Sequence, residues 1–175
     1  MDTLHLPSPD SREAALYARL ESLGIAFTRF EHVPVFTVEE AGAVNAGQPG
    51  GHTKNLFLKD KKSGLWLVVL RDDFRLDLNA LSRALGAPRF SFGSAELLQE
   101  RLGVPAGSVT PFALINDRER QVRVVLDEAM LALRPLNFHP LRNDRTIAVA
   151  PEDLLRFIAD CGHTPLVVAL PEAAP

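Results

Sequence analysis

Apolar residues along this chain alternate between helical and strand spacing, with glycine, proline and capping residues at the changeovers. Leu16, Leu20 and Leu23 recur on one helical face after Ser8-Pro9, and Gly24 ends the run. Serine followed by proline opens a helix, and a following glycine closes it. Residues 25–30 alternate weakly, as a strand does. Thr37-Val38-Glu39-Glu40 has capping-box spacing and predicts a short second helix. Two apolar runs, 55–58 and 65–70, flank the charged segment Lys59-Asp60-Lys61-Lys62-Ser63-Gly64 and predict a hairpin. Asp77 and Ser94 each stand before leucine-bearing helical runs that end at Gly86 and Gly103. Residues 112–115 and 122–126 read as paired strands, 127–133 as a short helix, and 135–139 and 146–150 as further strands. Pro151 opens a helix whose inner face is Leu154, Leu155, Phe157 and Ile158, and 165–170 is a last strand.

Helices and strands are mixed, and hairpins outnumber βαβ units. The pattern predicts an α+β class: one domain with a mixed, mostly antiparallel sheet surrounded by helices. Residues 1–8 read as a loose arm, 9–170 as the folded domain and 171–175 as a frayed tail. No repeat, low-complexity tract or dividing linker interrupts the domain.

Composition narrows the function. The chain has 175 residues, 46% of them hydrophobic, enough for a sizeable core. The net charge of -3 argues against wholesale wrapping of nucleic acid, which needs many phosphate contacts, but leaves room for a local basic patch. The single cysteine, Cys161, cannot form an internal disulfide, in keeping with a reducing cytosol. One cysteine and five scattered histidines supply no zinc-type spacing. No secretory signal or membrane-spanning run is visible, so the expected location is cytoplasmic. Serine-elbow, phosphate-loop and dinucleotide motifs are absent. Chemistry here is expected to come from positioning, hydrogen bonding and water.

Three segments carry candidate chemistry. In Gly50-Gly51-His52-Thr53-Lys54-Asn55-Leu56-Phe57-Leu58 a lysine stands at the mouth of an apolar strand after a flexible turn. An ammonium is costly to bury, so Lys54 is either a solvated strand end or a cation held at a cavity rim. In Gly107-Ser108-Val109-Thr110-Pro111 a glycine allows close backbone approach and a proline fixes the exit. Such a loop is either a tight connection or an N–H cradle for an oxyanion or a sugar hydroxyl. In Asn137-Phe138-His139-Pro140 the histidine is either satisfied by backbone or free to bind.

These three segments, in this order and over roughly residues 10–170, resemble the signature segments of the YbaK/prolyl-tRNA editing superfamily. Within it the chain is most similar to the free-standing ProX type (also called PrdX), which hydrolyses alanine mischarged onto proline tRNA. The resemblance implies that Lys54 is the functional lysine contacting the tRNA 3′ end or the ester, with Asn55 helping to hold substrate. It implies that residues 107–111 (Gly107, Ser108, Val109, Thr110, Pro111) bind the terminal adenosine and the reacting centre. His139, beside Asn137, would fix the amino group or the ribose. No cofactor, metal or protein nucleophile is implied, only water and the ribose 2′-hydroxyl. The implied partner is the acceptor end of mischarged tRNA(Pro), with transient association with prolyl-tRNA synthetase or an elongation factor. Phe36, Val38, Phe112 and Leu114 are candidate walls of a pocket sized for alanine, by proximity to the motifs, or else ordinary core. A Cys-tRNA(Pro) deacylase and a silent binder of tRNA ends are the rival readings.

Overall fold

The computed structural model describes residues 9–175, apart from the side chains of residues 9, 10 and 38. The arm expected over residues 1–8 and the Ser8 cap therefore lie outside the described residues. The helices are α1 (Pro9–Ser22), α2 (Val38–Asn45), α3 (Leu78–Ala84), α4 (Ala95–Leu102) and α5 (Pro151–Asp160). The strands are β1 (Thr28–Glu31), β2 (Gly51–Asp60), β3 (Leu65–Arg71), β4 (Phe90–Phe92), β5 (Val122–Asp127), β6 (Leu136–Phe138), β7 (Arg145–Val149) and β8 (Leu166–Val168). They form one eight-stranded sheet in the order β1-β7-β6-β2-β3-β5-β8, with β4 added on β2. Pairs β1–β7, β2–β3, β2–β4 and β6–β7 are antiparallel, and β2–β6, β3–β5 and β5–β8 are parallel. The sheet is thus mixed, as the pattern predicts.

The sheet separates two apolar clusters. Strand β3 serves both, because successive side chains point to opposite faces. Leu67 and Val69 join the larger core with α1, α4, α5 and the 3-10 helix Pro111–Asn116, while Trp66, Val68 and Leu70 join Leu81 and Phe90 on the other face. A continuous apolar run is what a strand covered on both faces requires. Each fully buried leucine contributes roughly 1.5–3 kcal/mol, so both layers hold β2 and β3 in register. The caps act as read: Thr37, Asp77 and Ser94 accept from the backbone N–H of Glu40, Ala80 and Leu97.

Two expectations change, and one strand goes unforeseen. Residues 112–115 are not a strand beside β5 but the 3-10 helix Pro111–Asn116, with Pro111 in its first turn and the Thr110 hydroxyl capping Phe112 N. The run is buried on all sides, so polar alternation could not distinguish its period. Strand β5 instead lies between β3 and β8. Strand β4 had no distinct signal, since it is only three residues long. The tail is fastened: Asp77 N donates to Pro171 O at 3.0 Å, Ala173 N to Arg75 O at 2.7 Å, and Leu76 bridges Glu172.

Candidate functional site

The first half of β2 runs parallel to β6, with Gly51 opposite Leu136 and His52 opposite Asn137. Asn137 stitches this junction. Its Nδ2 donates to Pro49 O and Gly51 O, both at 3.0 Å, while Thr53 Oγ1 donates to Asn137 O at 2.7 Å. Gly51 is closely covered, since a Cβ there would lie 2.7 Å from Leu133. The Gly-Gly turn thus lets the chain enter the sheet against its neighbour and brings Lys54, Asn55 and His139 to one place.

They line an open cleft of about 530 Å³ together with Phe36, Gly107 and the Asp72–Asp73 turn. A smaller cavity of about 60 Å³ lies among His52, Asn55, Asn137, His139 and Thr146. It has room for a water molecule, a methyl or an ammonium group. The side-chain oxygens of Asn55 and Asn137 are buried there with no hydrogen-bond partner among the described residues. Buried polar atoms are nearly always satisfied, so these two acceptors suit a donor from outside the chain.

Lys54 is half-buried, and its Nζ donates to Phe74 O at 2.5 Å. That carbonyl is held in turn. The Arg71 guanidinium stacks 4.8 Å from the Phe74 ring centroid, and Arg71 Nε donates to Asp127 Oδ2 at 2.8 Å. Asp127 is only 1% exposed and also accepts from the backbone N–H of Arg71 and Ala129. A buried carboxylate at the end of β5 thus holds the turn that holds Lys54. Sequence reasoning missed Phe74 and Asp127. The available signal was an acid closing an apolar strand, where charge is retained only when paired.

His139 Nδ1 donates to Arg145 O at 2.8 Å, because a carbonyl can only accept, and this leaves Nε2 with its lone pair. Burial lowers the His139 pKa against the opposing pull of the Arg145 carbonyl, and His32, 6.1 Å away between ring centroids, lowers it further. The ring is therefore a neutral acceptor at pH 7. Its support extends to α1: buried Glu13 pairs with Arg145 and Arg142 and accepts from Tyr17 Oη at 2.5 Å.

Gly107 has φ +89°, a left-handed conformation that suits glycine, and with Val109 it faces the cleft. Ser108, Thr110 and Pro111 are buried and shape the loop from within. Phe36 is 71% exposed at the rim rather than set in an inner wall. The side chain of Val38 lies outside those described. Phe112 and Leu114 do not reach the cleft. Phe112 is fully buried edge-on against Phe138 and Phe157, at 5.8 and 5.1 Å between centroids. Leu114 borders a separate surface cleft of about 900 Å³ between α1 and the end of α5. That cleft also contains Cys161, whose thiol burial pushes up to about 11, away from nucleophilic use. Nearness in sequence to the loop was a poor guide because the 3-10 helix turns its side chains into the core. Among the described residues, no helix is long and apolar enough to cross a membrane.

Comparison with known proteins supplies the family of the chain. The family model for the aminoacyl-tRNA editing domain matches residues 32–157. The chain is 44% identical to prolyl-tRNA synthetase associated domain-containing protein 1 of Danio rerio, over 86% of this chain and 83% of that protein. It is 35% identical to the prolyl-tRNA editing protein ProX of Acetoanaerobium sticklandii, over 89% and 94% of the two chains. In fold it is similar to a crystal structure provisionally described as a trans-editing enzyme for prolyl tRNA synthetase. There the TM-score is 0.71 at 22% identity, covering 96% of this chain and 99% of that one. With the family model spanning most of its length and both named relatives aligned over more than four fifths of each chain, this chain belongs to the aminoacyl-tRNA editing domain family.

Proposed function

We propose that this protein is a trans-editing deacylase that hydrolyses the ester of alanine mischarged onto tRNA(Pro). The observation that carries the reading is the convergence of one fixed cation, Lys54, one neutral acceptor, His139, and the open Asn55 oxygen on a single cleft. An aminoacyl ester is already activated, so a placed water and a polarised carbonyl suffice. The Lys54 ammonium hydrogen-bonds the ester oxygen as it gains charge. His139 Nε2 accepts from the attacking water or from the ribose hydroxyl beside the ester. The water oxygen bonds to the carbonyl carbon, the bond to the ribose oxygen breaks, and the water proton ends on the ribose. Free amino acid and intact tRNA are the products.

Selection for alanine has its support in the cavity of about 60 Å³ rather than in Phe112 or Leu114. A methyl group fits such a space, whereas a proline ring would overpack it at a cost of roughly 1–3 kcal/mol. Asp72 and Asp73 at the mouth favour a substrate carrying a free ammonium group. The substrate in this reading is the acceptor end of tRNA(Pro), met in the cytoplasm, with at most brief contact with the synthetase or an elongation factor. Hydrolysis of Ala-, Cys-, Ser- and Pro-tRNA(Pro) tests it. Alanine released fastest and proline spared is the expected outcome. Equal rates for alanine and proline would overturn the sieve, and faster cysteine release would move the assignment to Cys-tRNA(Pro).

A further inference from the structure

Phe36 is 71% exposed, and its neighbour Val33 is 69% exposed. An exposed phenylalanine is ordinary in a loose loop, but this backbone is fixed. Val35 is buried, its N–H donates to Asn143 O at 3.2 Å, and its carbonyl accepts from Asn143 Nδ2 at 3.1 Å. Phe36 N donates to Glu40 Oε2 at 2.9 Å, and the Thr37 hydroxyl caps α2 immediately afterwards. The chain is thus pinned on both sides of a ring it turns outward. Across from the ring stands Gly107, the exposed residue of the functional loop, where even an added Cβ would lie 3.6 Å from Phe36 Cδ1. Lys54 and His139 line the same cleft. A flat apolar surface, fixed in advance and continuous with a cleft that takes an acylated RNA end, has the chemistry of a stacking platform.

We infer that Phe36 is the stacking surface for the 3′-terminal nucleobase of the acylated RNA, with the ribose then lying over Gly107 and the ester reaching Lys54 and His139. The inference rests on the deacylase reading and adds to it a recognition element outside the three signature segments. Every nucleobase has a π-face, so the platform holds the base without reading its identity, and the fixed ring lowers the ordering entropy of binding. Gly107 lies close beside the ring, and a Cβ there would already be in van der Waals contact with it at 3.6 Å.

The test compares two esters on the full chain: an alanylated RNA hairpin with the natural 3′ end, and alanine ethyl ester, which has no base. The readout is the ratio of kcat/KM between them, with a thermal melt for each variant. Phe36→Ala is expected to lower that ratio by on the order of ten- to a hundredfold, and Phe36→Tyr to restore it to near the wild-type value. A ratio unchanged in Phe36→Ala, or lowered equally in Phe36→Tyr, would overturn the platform. A hairpin with an abasic 3′ terminus supplies the second arm. Wild-type protein should lose the same factor on it, and Phe36→Ala should lose nothing more. A further loss in that variant would assign Phe36 to another contact. Wild-type protein inactive on both esters would count against the deacylase reading itself. The platform is then judged by quenching of a 3′-terminal 2-aminopurine hairpin, expected with wild type and absent with Phe36→Ala.

Discussion

Replacing Lys54 by methionine keeps the aliphatic stem and removes only the ammonium, so the change isolates charge from packing. In the cleft lining the charges are Lys54, Asp72 and Asp73, with His139 neutral, so the local sum falls from -1 to -2. Two terms follow. The first is the charge-assisted hydrogen bond to the developing oxyanion, worth about 1.5–3 kcal/mol, or roughly ten- to 150-fold in rate. The second is weaker attraction for the RNA phosphates; at ~8 Å in water one unit charge contributes about 0.5 kcal/mol, and salt screens it. The chemical term therefore dominates, and the loss should sit in the single-turnover rate constant rather than in salt-sensitive binding. The folded state should lose little. The Phe74 carbonyl that Lys54 holds at 2.5 Å belongs to a partly exposed residue and can turn to water. Losing one such bond costs on the order of 1 kcal/mol, equivalent to about 2–4 °C in Tm for a chain of this size. The assay is single-turnover hydrolysis of Ala-tRNA(Pro) beside a thermal melt, with Lys54→Arg as a second variant that keeps charge but changes geometry. A Lys54→Met protein that melts normally and hydrolyses within about threefold of wild type, well short of the loss expected for a charge-assisted bond, would refute the assignment.

Arg71→Ala removes the guanidinium from Asp127, which is 1% exposed, and should destabilise the fold by about 1.5–3 kcal/mol. It should also lower deacylation more than the melt explains, because the Phe74 turn is freed; Asp127→Asn, which keeps an acceptor, should retain more activity, and parallel losses in both variants would argue against this support. His139 has its pKa depressed below the ordinary 6.5 by burial, so its contribution to stability is complete above pH 6.5 and is lost as pH falls through the depressed value. The acid limb of kcat/KM assigned to it should lie below pH 6.5 and vanish in His139→Asn; a limb at or above 6.5 would show the ring to be charged. Phe112→Ala should cost about 3–5 kcal/mol in chemical denaturation without admitting Pro-tRNA(Pro), since its ring packs on Phe138 and Phe157; Pro-tRNA(Pro) hydrolysis by that variant would return Phe112 to the sieve.

The linear pattern was sufficient for the caps at Thr37, Asp77 and Ser94 and for the β2–β3 hairpin. These features depend on residues close together in the chain, on turn chemistry and on period, all of which act locally. For Lys54, Gly107 and His139 the pattern left an ordinary structural role and a binding role both open; the resemblance to the editing superfamily singled them out together with Asn55, and the fold brings them to one cleft.

Tertiary structure alone decided the remainder. Period cannot separate a strand from a 3-10 helix when every side chain of Pro111–Leu114 is buried, and nearness to the loop left Phe112 as either pocket wall or core, a choice its packing on Phe138 and Phe157 decides for the core. The pairing of Arg71 with Asp127 spans 56 positions, and only the parallel β3–β5 register brings the two together. Phe36 and Gly107 are likewise far apart in sequence, and their facing across the cleft depends on Asn143 holding Val35. Such contacts are set by which strands become neighbours. That choice is governed by burial of two apolar faces summed over the whole sheet, a quantity that no short window of sequence contains.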